Sequence, residues 1–189
     1  MTTQNSMIEA LKDFVQRLDE LGIQYMITGS FAINAFAVGR LTCDIDAVIE
    51  ISSGDAERVE SKFLPDYYID EISIRNAIQR GSMFNVLNLS NGVKIDFIIK
   101  KATGSEADKF RRRRRSEIDG ISFWVISKED LILSKLEWAK DSLSETQFLD
   151  IRSLVESGIH NEIFSQRISR LGLDNVWAEF GKWKIRVEK

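Results

Sequence analysis

The sequence predicts an α/β fold, an α+β mixed sheet followed by a small C-terminal helical lobe, and three observations carry that expectation. From Tyr25 to Ile51 the residues YMITGSFAINAFAVGRLTCDIDAVIEI read as strand, Gly-Ser turn, apolar helix and second strand. Between Met83 and Ile99 two β-rich runs flank Ser90-Asn91-Gly92, and Asn-Gly between such runs is a strong hairpin signal. Beyond Ser127 the pattern is helical throughout. A boundary there divides a mixed domain, 1–127, from a helical subdomain, 128–189.

The first helix rests on Ile8, Leu11, Val15, Leu18 and Leu21, one apolar stripe over residues 6–21. Ser6 is placed as its N-cap and Gly22 as its C-terminal stop. A strand over 23–28 follows, then Gly29-Ser30 and a helix over 30–38 that Gly39-Arg40 ends. The next strand carries Asp44 and Asp46. Ser52-Ser53-Gly54-Asp55 forms a loop and N-cap for a polar helix reaching Leu64, which Pro65 closes. Residues 67–80 read as a strand start and a short helix ending at Gly81. After the hairpin, residues 101–120 are polar and hold five successive arginines, Arg111 to Arg115, ahead of a last strand over 121–126. Ser127 with Asp130 resembles a capping box, although Ser144 with Gln147 fits that box better. The four C-terminal helices are expected over 128–141, 144–158, 161–170 and 174–183.

Residues two apart on a strand share a face, so Asp44 and Asp46 point the same way, with Ile45 and Ala47 opposite. Like charges so placed are unfavourable unless a cation or a donor array lies between them; solvated strand charges are the alternative reading. Asp96, centred in KIDFII, is a third carboxylate in a run whose apolar neighbours imply burial. Hard oxygen donors of this kind suit Mg²⁺. Two such ions ~3.5–4 Å apart can clamp both the attacking and the leaving oxygen of a phosphoryl displacement. Gly29-Ser30, at a strand-to-helix turn, offers backbone N–H groups and a positive dipole end to a phosphate, although the dipeptide alone is more often just a turn.

Lys135 lies in an apolar stripe of Leu131, Ile132, Trp138 and Ala139, where an ammonium must either snorkel to water or meet an anion. By parity Thr42 shares the face of the aspartates and reads as their support, whereas Cys43 reads as a buried core thiol. The arginine run admits three readings: a solvated mobile loop, a patch for RNA or another polyanion, and a contact for an acidic protein partner. Asp150 has polar neighbours and reads as an ordinary solvated acid. His160 reads as structural, and the tryptophans as packing or interface residues.

The bulk composition bounds the rest. A net charge of -3 gives no global basic signature, so any nucleic-acid site must be local. One cysteine excludes an internal disulfide framework, and one histidine leaves no obvious zinc cluster. The N-terminal residues lack a signal-peptide core, and no apolar run approaches the ~20 residues of a membrane helix, so a cytoplasmic protein without membrane partners is expected.

Taken in order, Gly29-Ser30, Asp44-Ile45-Asp46 and Asp96 resemble the motifs of the nucleotidyltransferase superfamily with the DNA polymerase β-like palm. Its pattern is a hydrophobic-Gly-Gly/Ser turn, a gap, Asp-hydrophobic-Asp, then a third acid among hydrophobic residues. Arg40-Leu41-Thr42-Cys43-Asp44-Ile45-Asp46, FNVLNLSNGVKIDFII and EDLILSKLEWAK resemble the minimal, AbiEii-like members. The resemblance extends to about residue 157 and implies a nucleotidyltransferase palm followed by the helical lobe. It implies that Asp44, Asp46 and Asp96 bind Mg²⁺ in a two-ion site, with Asp96 helping to activate an acceptor hydroxyl. It also implies that Gly29, Ser30, Arg40, Thr42 and Lys135 bind a nucleoside triphosphate. The implied reaction moves a nucleoside monophosphate to an RNA, a protein or a small molecule, with a toxin-type role as one form. The alternative is a non-catalytic nucleotide-binding or toxin–antitoxin partner module of the same fold.

Overall fold

The computed structural model describes residues 3–40, 42–159 and 161–187. The expectation for His160, and Leu41 within the Arg40–Asp46 motif, lie outside the described residues. Helix α1 (Thr3–Leu21) buries Leu11, Phe14 and Leu18 completely, as its stripe requires. It begins before Ser6, so Ser6 does not cap it. The Ser6 carbonyl instead accepts from Asn91 Nδ2 in the hairpin turn, which pins this end of the helix to the sheet. Gly22, at φ +70°, supplies the left-handed stop that leads into β1 (Gln24–Thr28).

The helix expected over 30–38 shrinks to a single 3₁₀ segment, Phe31–Ala35. Phe31, Ala32 and Ile33 are all buried, so the segment has no wet face along which a longer amphipathic helix could run. Then β2 (Asp44–Glu50), α2 (Ala56–Phe63), β3 (Tyr67–Tyr68), α3 (Glu71–Arg80), β4 (Met83–Asn88) and β5 (Lys94–Ile99) follow where the pattern places them. Asp70 caps α3 by accepting from the Ser73 amide at 2.7 Å.

Residues 101–120 depart most from expectation. They form α4 (Gly104–Arg111) and β6 (Arg114–Ile118), and β6 pairs antiparallel with β7 (Ile121–Val125). The turn is Asp119-Gly120 with both residues at positive φ, the backbone an Asp-Gly hairpin demands. The strand was hidden because β6 lies at the sheet edge and buries no side chain, so its sequence shows no apolar alternation.

The sheet runs β3-β4-β5-β2-β1-β7-β6, with β2 near its middle, antiparallel to β1 and parallel to β5. Helices α5 (Lys128–Ala139), α6 (Glu145–Glu156), α7 (Asn161–Arg170) and α8 (Asp174–Val187) complete the chain. The capping expectations reverse. Ser127 Oγ accepts from the Asp130 amide and donates to its carboxylate, whereas Ser144 makes no side-chain cap bond. Gln147 is drawn elsewhere, its Oε1 lying 3.4 Å from the Lys135 ammonium. Trp177 and Trp183 pack with Phe148, Phe164 and Phe180, as expected of packing residues. Trp138 does not: it is 77% exposed. No described helix is long and apolar enough to cross a membrane.

Candidate active site

Sheet register assembles the acids. The parallel β2–β5 pairing sets Asp46 beside Asp96 and Asp44 beside Lys94, while β1–β2 sets Thr28 beside Asp46. Neighbouring strands lie only ~4.8 Å apart, so these side chains crowd one face. Gly29, next after Thr28, lies directly against Asp46. A Cβ there would fall 1.9 Å from Asp46 Oδ2, and its φ is +67°. Glycine is thus required both by the backbone conformation and by the space.

Thr42 is buried and donates from Oγ1 to Asp44 Oδ1 at 2.7 Å, so it supports the acid as expected. Cys43, expected in the core, is exposed. The strand starts only at Asp44, so the alternation used to place Cys43 does not reach it.

The three carboxylates differ in setting. Asp44 is open to solvent, Asp96 is almost fully buried, and Asp46 lies between them. Burial, then repulsion from Asp44 and Asp96, pushes the Asp46 carboxyl up to about 6. One oxygen of Asp96, Oδ1, is buried with no hydrogen-bond partner. The other accepts from Lys94, whose ammonium lies 2.8 Å from Asp96 Oδ2 and 3.9 Å from Asp44 Oδ2. The bond to Asp96 holds the Lys94 ammonium above its ordinary pKa. Sequence reasoning missed Lys94, although parity already put it on the face of Asp96, two residues away.

As placed, no three acidic, cysteine or histidine side chains among the described residues converge on a metal position. The donor chemistry nevertheless fits Mg²⁺: hard oxygens, an unpartnered buried oxygen on Asp96, and a carboxyl on Asp46 whose ionisation is disfavoured for want of a cation.

The phosphate turn carries a second cluster. Arg40 Nη2 donates to Ser30 Oγ at 2.6 Å, and its Nε lies 3.2 Å from Asp150 Oδ1. Lys135 Nζ lies 2.7 Å from Asp150 Oδ2 and 3.5 Å from Ser30 Oγ. Lys135 and Asp150 are both buried. The anion that Lys135 required is therefore Asp150, which is not the solvated acid its polar sequence neighbours suggested. Two cations facing one carboxylate repay its desolvation and leave a net positive charge beside Ser30.

The arginine run is neither a loop nor one patch. It ends α4 and starts β6. Arg111 pairs with Asp108, and Arg112 forks onto Asp130 at 2.9 and 2.8 Å. Arg113 lies over the Phe110 and Trp124 rings, and Arg115 over Trp124.

No protein-family model matches the sequence, and no curated protein matches it. Solved structures do resemble it. A lincosamide antibiotic adenylyltransferase, LnuA, with lincomycin bound is 15% identical over 79% of this chain and 94% of its own, at a TM-score of 0.54. A Thermotoga maritima protein proposed to be a nucleotidyltransferase is 17% identical over 74% and 89%, at 0.50. The antibiotic-resistance factor ANT(2'')-Ia is 15% identical over 100% and 95%, also at 0.50. The fold is that of the nucleotidyltransferases. Within that nucleotidyltransferase fold the Gly29-Ser30 turn and the Asp44, Asp46 and Asp96 face stand together at one edge of β1, β2 and β5.

Proposed function

We propose that this protein is a nucleotidyltransferase that moves a nucleoside monophosphate from a nucleoside triphosphate to an acceptor hydroxyl. The observation that carries this reading is the register that brings Asp44, Asp46 and Asp96 onto one face with Gly29 seated against Asp46. The Gly29-Ser30 turn, with Arg40 and Lys135 beside Ser30, receives the triphosphate as a cluster of positive charge and donors. Thr42 holds Asp44 in orientation. Asp96 Oδ1, having no partner in the protein, accepts the proton of the attacking hydroxyl.

The new bond joins the acceptor oxygen to the α-phosphorus. The bond from that phosphorus to the bridging oxygen breaks, and pyrophosphate leaves. Mg²⁺ held by Asp44, Asp46 and Asp96 would supply charge neutralisation for the phosphates. The rate comes from positioning and electrostatics.

The acceptor is read most economically as a small molecule or a protein hydroxyl. Most of the arginine run is occupied within the fold, which leaves little free charge to track an RNA backbone. A toxin-type role fits either acceptor.

The test incubates the protein with each α-³²P-labelled nucleoside triphosphate, Mg²⁺ and a cell extract, with the Asp44→Ala/Asp46→Ala protein as control. Label should appear on a small-molecule or protein fraction with the wild type only. Label on RNA would reassign the acceptor. Nucleotide binding with no transfer to any fraction would instead support a non-catalytic binding module.

A further inference from the structure

One cation of the acidic face belongs to the protein itself. Lys94 reaches that face from β5, where register sets it beside Asp44 and parity sets it with Asp96. Its ammonium is 2.8 Å from Asp96 Oδ2 and 3.9 Å from Asp44 Oδ2, so it bridges carboxylates from two strands. The face then carries three acids and one base. A divalent ion drawing on the same oxygens must meet Lys94, because Asp96 Oδ2 and Asp44 Oδ2 already point at the ammonium.

Asp96 Oδ1 stays without a partner although Oδ2 is taken, so Lys94 satisfies only part of what the acids demand. Lys94 is also mobile in principle. Its side chain is 40% exposed and has a four-carbon stem, so it can leave Asp96 without disturbing the sheet.

We propose that Lys94 is a built-in counterion that competes with the divalent metal for Asp44 and Asp96 and is handed to the incoming phosphates when the metal enters. This deepens the nucleotidyltransferase reading and rests on it. In the free protein Lys94 lowers the repulsion among the three acids. When the metal arrives, its charge repels the ammonium, and the nearest new anion for Lys94 is the triphosphate. The handover makes metal and nucleotide bind as a pair, because metal alone must displace Lys94 into water, whereas metal with nucleotide offers it a phosphate.

The experiment titrates Mn²⁺ into the nucleotide-free protein and follows bound metal by electron paramagnetic resonance and calorimetry. Wild type, Lys94→Met, Lys94→Gln and Lys94→Arg are compared. Removing the ammonium should tighten Mn²⁺ binding about fivefold, the effect of ~1 kcal/mol for a part-exposed ion pair, while Lys94→Arg stays near wild type. The metal-free Lys94→Met and Lys94→Gln proteins should also melt lower, and Mn²⁺ should raise their melting temperature more than it raises that of the wild type.

Equal or weaker Mn²⁺ affinity in both neutral variants, with folding intact by circular dichroism, overturns the proposal and leaves the nucleotidyltransferase reading standing. If neither wild type nor the variants bind Mn²⁺, with or without a non-hydrolysable nucleoside triphosphate, the metal site itself is absent and both readings fall.

Discussion

Asp46 carries the conflict on which the site is built. Its neighbours across the strands are Thr28 and Asp96, and a buried carboxylate so placed resists ionisation. The consequence for stability has a definite sign. An unfolded aspartate titrates near ~3.9, whereas folded Asp46 does so at about 6. Between these values the native state holds a proton that the unfolded state has lost, so stability falls as pH rises through this window and stays lower above it. Asp46→Asn removes the burden. It should raise the unfolding free energy at pH 8 by roughly 2 kcal/mol, with the gain shrinking towards nothing below about pH 4. Urea denaturation at the two pH values checks this; an equal gain at both would mean that packing, not charge, limits the site.

At the scale of elements, α5 shows how a local signal and a tertiary one converge. Ser127 caps the helix, and the Asp130 it bonds also receives the Arg112 fork and, at 3.4 Å, Arg167. Burial raises the pKa of Asp130, but the bonds from Arg112 and Ser127 outweigh it and hold the carboxyl below its usual range. A Ser127→Ala protein loses the cap and one donor to a buried carboxylate. It should be destabilised by about 1–2 kcal/mol in chemical denaturation without losing helical signal. A cost near zero would show that Arg112 alone holds the start of α5. The same fork explains why the arginine run is ordered: its charge is spent on anchoring α5 to the end of α4.

For the molecule as a whole, the contact that matters runs from α6 to the phosphate turn. Asp150 holds Lys135 and Arg40 while lying 3.4 Å from Ser30 Oγ, which ties the last turn of β1 to the helical lobe. Asp150→Asn leaves Lys135 buried without its anion, a change that typically costs about 3–5 kcal/mol. The variant should melt well below the wild type. Its affinity for a non-hydrolysable nucleoside triphosphate, measured by calorimetry at a temperature where it is folded, should change because Lys135 and Arg40 lose their common anchor. Wild-type stability together with wild-type nucleotide affinity would reduce Asp150 to a bystander.

Much of this was legible in one dimension. Strand parity put Asp44 and Asp46 on one face, Asn-Gly announced the β4–β5 hairpin, and the apolar company of Asp96 announced its burial, because these signals depend on neighbours along the chain. Parity misled at Cys43, where the strand had not yet begun, and hydrophobic pattern was silent for β6, an edge strand with no buried side chain. Only the tertiary structure decided which charges meet. It set Asp46 against Gly29 and Asp96, Lys94 between two acids, and Asp150 under Lys135 and Arg40. The physical reason is that electrostatic partners are chosen by sheet register and helix docking, which join residues up to 120 positions apart, whereas sequence periodicity reports only which way each residue faces.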